Sequence, residues 1–332
     1  MGYQEEKAKI DEKKKRITVI TLIVIAVLVV ALCVFAAFVP PDTWAYYVAL
    51  PTVEARKEGE MKITFLEVGQ GDCTLIELPD GKTMLIDGGD GGAGATNNIM
   101  RYLNASKIDK IDYLVLTHAD ADHCGGLVRI MQLKEIGALY LPITAPEKDG
   151  AYASFYQAVQ ESGCKWKFGT RDTSIVSTDA RYSFCLQFLS PMEQDIGKDI
   201  DANETSAVIW LDYQGVSTLF TGDATMKTEN RLMEYYGLGL LDNSTVDLTD
   251  TEILKVSHHG GEDATSVGFL KFLGAETAMI SCGKGNPYGH PTAALLARLK
   301  VAGLTAYRTD SQGHISVTVS PDGSYRVSTL GM

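Results

Sequence analysis

The chain has 332 residues, 45% hydrophobic and 22% charged, with 32 glycines and 10 prolines. This is ordinary globular composition, and it excludes collagen-like, low-complexity and wholly disordered chains. The formal net charge is −12; residues 1–16 hold six basic and four acidic side chains, so the remainder carries −14. Proteins that hold nucleic acid by electrostatics alone are basic, so a polyanion here would have to be met by bound cations.

In chain order, the basic tail 1–16 precedes an uncharged run, Ile17–Val39, long enough to cross a bilayer as one helix. Lys13, Lys14, Lys15 and Arg16 abut it, and beyond it the chain reaches Arg56 without a Lys or Arg. The positive-inside rule then predicts a cytoplasmic amino terminus and an external domain. Trp44, Tyr46 and Tyr47 follow the span, where an aromatic belt would sit. A cleaved signal peptide is the rival reading, but its apolar core would be only about 7–15 residues. Leu32 before Cys33 also departs from a lipoprotein signal. The expected organisation is a tail (1–16), a membrane anchor (17–39), a juxtamembrane linker (40–60) and one domain (61–332).

From Met61 onward, short apolar runs alternate with helical spacing. Strands are expected at 61–68, 73–78, 82–87, 113–117, 138–142, 184–189, 207–213, 217–223, 253–257, 277–281, 304–308 and 314–319. Helices are expected at 97–105, 126–134, 151–161, 226–236 and 292–302. Pro79-Asp80-Gly81 and Gln214-Gly215 read as hairpin turns. DGKTMLIDGGD (80–90) and QGVSTLFTGDA (214–224) echo one another, each delivering an acid, Asp87 or Asp223, from a strand end. Two such hairpins suggest two similar sheet halves packed face to face, with a site along their shared edge. Of the six cysteines, Cys33 is in the span and no CxxC pair occurs, which excludes a zinc ribbon and a complete disulfide framework. The rest read chiefly as buried small hydrophobes, with one disulfide left open.

The strongest chemical signal is LVLTHADADHCGGL (114–127). After a hydrophobic strand, one loop offers His118, Asp120, Asp122 and His123, and Gly125-Gly126 leads into a helix. Alternate side chains of an extended segment point the same way, and glycine permits the sharp turn beneath them. STLFTGD (217–223) ends another strand in Asp223, and ILKVSHHGG (253–261) ends a third in His258 and His259. The 118–123 loop points to a metal by itself; a lone strand-end Asp or His would not, and the three clusters together strengthen the reading.

The order T-H-x-D-x-D-H-x-G-G, T-G-D, H-H-G resembles the metallo-β-lactamase fold, a four-layer αββα sandwich of α/β class with a dinuclear site. FLEVGQGDCTLIELPDGKTMLIDGG (65–89) and GNPYGHPTAALLARLKVAGLTAYRTDSQGHI (285–315) resemble segments of the extracellular domain of ComEC-type competence proteins. The resemblance covers roughly 62–320, without the multi-span membrane domain of a competence channel, so transport is not implied. It implies a first site of His118, Asp120, Asn203 and bridging Asp223, with Asn203 a weak neutral ligand. The second site would be Asp122, His123, His258 and the same Asp223. His258 is preferred as the ligand because it directly ends the apolar strand, leaving His259, Asp72 and Asp87 as supports that orient the ligating rings. Asp72 serves equally well as a turn acid.

Oxygens from Asp120 and Asn203 replace two of the family's usual imidazoles. That hardens the site and favours Mn²⁺, with Zn²⁺ and Mg²⁺ as the other candidates. Two ions about 3.5–4 Å apart activate water and hold attacking and leaving oxygens in line, which suits a phosphodiester. Asp122 and His290 are the expected catalytic side chains, His290 as donor to a leaving oxygen; Tyr288 and Arg308 are the expected substrate-binding ones. His290, between Gly289 and Pro291, could instead order a turn. The leading expectation is an anchored, outward-facing, two-metal phosphodiesterase or nuclease acting on DNA. The alternatives are a hydrolase of a cell-envelope phosphoester or lactone, and a non-catalytic binding partner.

Overall fold

The structure, a computed structural model, describes residues 2–38, 41–146, 148–171, 173–177, 179–237 and 246–331. It divides into two units, Met1–Leu50 and Pro51–Met332.

In the first unit a single helix, Gly2–Phe38, carries the charged tail straight into the apolar run. No residue of this helix is buried by protein, and its apolar stretch is long enough to cross a membrane. Exposed Leu, Ile and Val all round a helix are unfavourable in water and favourable in a bilayer. Val39, the last residue of the expected span, lies outside the described residues.

The second unit is built on two sheets. One orders its strands Tyr325–Leu330, His314–Val319, Met61–Phe65, Thr74–Glu77, Thr83–Ile86, Lys110–Val115, Glu135–Leu141, Trp166–Phe168. The other runs Thr305–Arg308, Thr277–Ile280, Ile253–Lys255, Val216–Phe220, Val208–Tyr213, Phe184–Ser190, Ser174–Val176. Both are mixed, and their period-2 alternation builds the layers. Met61, Ile63 and Phe65 meet Ile209, Leu211 and Phe220 in the core between the sheets. The intervening Thr64 faces outward, where its hydroxyl bonds Tyr102 of helix Ala93–Ala105 at 3.2 Å and Ser316 at 3.0 Å. On the second sheet Val208, Trp210, Leu219 and Leu254 pack beneath helices Val267–Leu273 and Ala293–Ala302. The result is the four-layer αββα sandwich expected from the motifs.

Strands Trp166–Phe168, Ser174–Val176 and Tyr325–Leu330 were not anticipated, and all three are edge strands. Their partly exposed side chains carry no uninterrupted apolar run. The two hairpin turns form as read, with Gly81 (φ 90°) and the Gln214-Gly215 pair (φ 58° and 76°) in the left-handed region. Part of the segment read as linker docks on the sandwich. The Tyr213 hydroxyl donates to the Gly59 carbonyl at 2.5 Å, and Arg326 reaches Glu54 at 2.9 Å. The described cysteines form no disulfide.

Candidate metal centre

The strands that carry the motifs are parallel to their neighbours: Thr83–Ile86 with Lys110–Val115 in one sheet, and Val216–Phe220 with Ile253–Lys255 in the other. Parallel strands present their carboxyl ends together, and loops leaving those ends form the ligand crevice. Asp87, the 118–123 loop, Asp223 and the His258-His259 pair all leave such ends.

Close backbone packing holds the 118–123 loop. A Cβ on Gly71 would lie 2.4 Å from the Asp122 carbonyl, and one on Gly126 would lie 2.1 Å from the Gly88 carbonyl. Only glycine admits such approach. Asp120 precedes the short helix Ala121–Cys124, which carries Asp122 and His123. The His118 and His123 rings stand 4.1 Å apart between centroids, and both are buried.

Asp223 lies at the middle. Its carboxylate is 3.3 Å from His123 Nε2, 3.4 Å from His259 Nε2, and 3.9 Å from both His118 Nε2 and His258 Nε2. Its backbone N–H is held by the Ser206 hydroxyl at 3.0 Å. Asp122 approaches His259 Nε2 at 3.2 Å, and the half-exposed Asp120 approaches His118 Nε2 at 3.6 Å. The rear nitrogens are also engaged. His123 Nδ1 is 2.8 Å from Asp87, and His259 Nδ1 is 3.0 Å from the Ser281 carbonyl and 3.5 Å from Asp72. Asp72, His123, Asp223 and His259 are all buried, with ligand atoms within 4.8 Å of one another.

The two adjacent histidines divide differently from the sequence expectation. Both turn through the left-handed region, His258 at φ 49° and His259 at φ 52°. That turn drops His259 into the protein between Asp122 and Asp223. His258 stays partly exposed, with its Nδ1 on Asp263 at 2.9 Å.

The electrostatics are those of an acid-rich pocket in which carboxylates and imidazoles shift one another. Burial opposes charging of His123, yet Asp223 and Asp87 outweigh it and hold its pKa well above the usual imidazole range. Burial likewise opposes charge on His259, and Asp223 and Asp72 reverse it. Asp223 in turn is held well below the carboxylate range, because His259 and His123 outweigh its burial. Nε2 of His118, His123 and His259 and Oδ1 of Asp223 are buried without a hydrogen-bond partner. Buried polar atoms are rarely left so. Imidazole nitrogens and carboxylate oxygens facing one point are the donor set of a divalent cation, so these residues fit a metal.

Asn203 heads the turn Asn203–Thr205, and its Oδ1 is buried without a hydrogen-bond partner. Tyr288 and His290 lie on the loop before helix Ala293–Ala302, with the His290 ring 5.5 Å from that of His258. Burial, then the nearby His258 and His259, lower the pKa of His290. Arg308 gives two nitrogens to Asp310 at 3.0 and 2.6 Å.

Sequence reasoning missed three supports. Thr117 donates its N–H and its hydroxyl to Asp87, each at 2.8 Å. Ser206 holds Asp223, as above. Lys255, buried, places its ammonium 2.5 Å from Asp72. Thr117 opens the T-H-x-D-x-D-H motif and Lys255 is a lone charge inside an apolar strand, whereas Ser206 left no trace in the sequence.

Comparison with known proteins agrees with this geometry. The metallo-beta-lactamase superfamily matches residues 66–284. The chain is 29% identical over 271 residues to competence protein ComA of Neisseria gonorrhoeae, covering 81% of this chain and 34% of that protein. It is 28% identical over 276 residues to ComE operon protein 3 of Bacillus subtilis, covering 78% and 33% respectively. With recombination protein 2 of Haemophilus influenzae it shares 30% identity over 264 residues, covering 79% and 29%. The chain thus spans about a third of the length of the curated relatives it matches.

Proposed function

Because this chain belongs to the metallo-beta-lactamase superfamily, we propose that it is a membrane-anchored, two-metal hydrolase of phosphodiesters that acts as a nuclease. The convergence of unpartnered, buried imidazole and carboxylate atoms on one point carries the reading. We assign His118, Asp120 and the weak donor Asn203 to one ion, Asp122, His123 and His259 to the other, and Asp223 to both. His259 replaces His258 in this set because of its depth and its approach to Asp122. Asp72 and Asp87 address the rear nitrogens of ligating rings, which fits an orienting role. Mn²⁺ is the favoured ion, on the oxygen-rich donor set.

Two divalent cations would supply a nucleophilic water near neutral pH and offset charge building on a phosphoryl group. The side chains do the rest. Asp122 and Asp223 fix the donor geometry. His290, its ring 5.5 Å from that of His258, is assigned the proton passed to a leaving oxygen. Relatives named for competence and for recombination support DNA as the substrate.

The anchor completes the reading. The basic tail stays in the cytoplasm, the helix spans the membrane once, and the sandwich lies outside. Protease added to intact cells should remove the sandwich; a chain that survives until lysis has the opposite orientation.

A second reading, a cell-envelope phosphoester as substrate, is favoured by the −14 charge of the chain beyond residue 16. The two separate when protein loaded with Mn²⁺, Zn²⁺ or Mg²⁺ is given single-stranded DNA, duplex DNA and bis-p-nitrophenyl phosphate. Cleavage of DNA is expected. Turnover of the small diester with intact DNA would favour the envelope substrate.

A further inference from the structure

Outward from the metal centre runs a short line of rings. His258 Nε2 stands 3.9 Å from Asp223. The His290 ring follows, 5.5 Å from that of His258 and nearly edge-on at 74°. Tyr288 comes last, its ring 5.8 Å from His290 and tilted only 30° from parallel. Tyr288 is 67% exposed.

The loop that presents Tyr288 is held firmly. The Asn286 carboxamide accepts from the N–H groups of Tyr288 and His290 at 3.2 and 3.0 Å. It donates to the carbonyls of Gly283 and His290 at 2.9 and 2.5 Å. One side chain therefore ties both ends of the loop. Tyr288 keeps most of its surface open to solvent even though the loop is tied at both ends. An exposed tyrosine on a braced loop, two rings out from the metal centre, offers an apolar face to an incoming group.

We propose that Tyr288 is the stacking platform for one unpaired nucleobase of a single-stranded nucleic acid, flanking the phosphodiester at the metal centre. The inference rests on the phosphodiesterase reading above. In a duplex both faces of each base are already stacked, so only an unpaired base can take this position. The acidic charge of the chain beyond residue 16 disfavours a strand held by charge alone, so affinity for one needs another source. Backbone attraction to Lys and Arg is the usual source of affinity for single strands, and here it is weak. Base–aromatic stacking is the sequence-tolerant source that remains. A quaternary ammonium would instead be suited by a cage of several aromatic faces, and Tyr288 offers one open face.

The test uses full-length, metal-loaded protein and a thymidine 12-mer in which a single abasic nucleotide is moved position by position. In the wild type, an abasic nucleotide next to the cleaved bond should lower kcat/KM by roughly 5- to 150-fold, the usual worth of one stacked base. In Tyr288→Ala the intact 12-mer should show the same loss, and the abasic position should then add nothing. Tyr288→Phe, which keeps the ring, should retain the abasic penalty that Tyr288→Ala loses. In Tyr288→Trp, indole fluorescence should be quenched by the intact 12-mer and not by the abasic one. An equal abasic penalty in wild type and Tyr288→Ala, or none in either, overturns the platform while cleavage itself leaves the phosphodiesterase reading standing. A wild type that cleaves no oligonucleotide overturns the platform together with the nuclease reading, and hydrolysis of a phosphocholine diester by that protein would move the substrate to the cell envelope.

Discussion

Asp87 and Asp223, one from each sheet, address opposite nitrogens of a single imidazole: Asp87 lies 2.8 Å from His123 Nδ1 and Asp223 lies 3.3 Å from its Nε2. The ring is the bridge between the two halves of the sandwich at the site. Asp87 fixes which nitrogen points forward, and Thr117 fixes Asp87.

Asp87→Asn should therefore weaken metal binding without unfolding the protein. Asparagine keeps the shape and an acceptor for Thr117 but no longer holds charge behind His123. Loss of such an orienting partner typically costs 10–100-fold in metal affinity. Isothermal titration with Mn²⁺ checks this, and an unchanged affinity would show that His123 needs no partner at its rear nitrogen.

The HH pair gives a sharper contrast. His259 is buried between Asp122 and Asp223, whereas His258 is partly exposed and bonded to Asp263. His259→Ala should lose at least one equivalent of metal, and His258→Ala should retain the wild-type content. Elemental analysis of the two variants decides; the reverse result would return the ligand role to His258.

The outcome at this pair shows what a sequence can and cannot carry here. The strands bearing His118, His123, Asp223 and His259 are legible because they are apolar on both faces and end in polar clusters. Which of two neighbouring histidines faces inward depends on two consecutive left-handed residues, and no spacing rule encodes those angles. Ser206 was illegible for another reason. It acts through a hydroxyl on the Asp223 backbone, a contact between distant segments that leaves no local pattern. The edge strands escaped because their half-exposed residues lack the apolar runs that mark buried ones.

Asp223 is within 4 Å of a nitrogen from each of four histidines, while among the described residues Asp120 pairs within 4 Å with His118 alone. Asp223→Ala should accordingly lose more metal than Asp120→Ala, and mass spectrometry of the purified variants would read it. Equal losses would mean that Asp223 serves a single ion.

Acid sensitivity has a contributor away from the metal. His314 is buried against the edge of Tyr102, and its Nδ1 accepts the Glu67 N–H at 2.9 Å. Burial lowers its pKa to about 4, from 6.5. Between these values the unfolded chain binds the proton and the folded chain does not, so stability falls as pH drops from about 6.5 towards 4. The shift corresponds to about 3 kcal/mol at most. His314→Gln should remove this part of the pH dependence in urea melts across that window. A slope identical to wild type would mean that His314 is not what titrates.

The last prediction concerns the buried Asp72–Lys255 pair, whose ammonium and carboxylate lie 2.5 Å apart behind His259. Burial favours the neutral acid, but Lys255 outweighs it and keeps the Asp72 carboxyl well below its usual range. Removing one member of a buried pair strands the other and costs about 3–5 kcal/mol. Lys255→Met, similar in volume, should thus be strongly destabilised when metal-free. Added Mn²⁺ would bring positive charge close to Asp72 again, so the mutant should gain more in Tm from metal than the wild type does. Thermal melts of both proteins across a Mn²⁺ titration measure that difference. A gap between the two proteins that metal leaves unchanged would make the pair a purely structural one, uncoupled from the centre it lies behind.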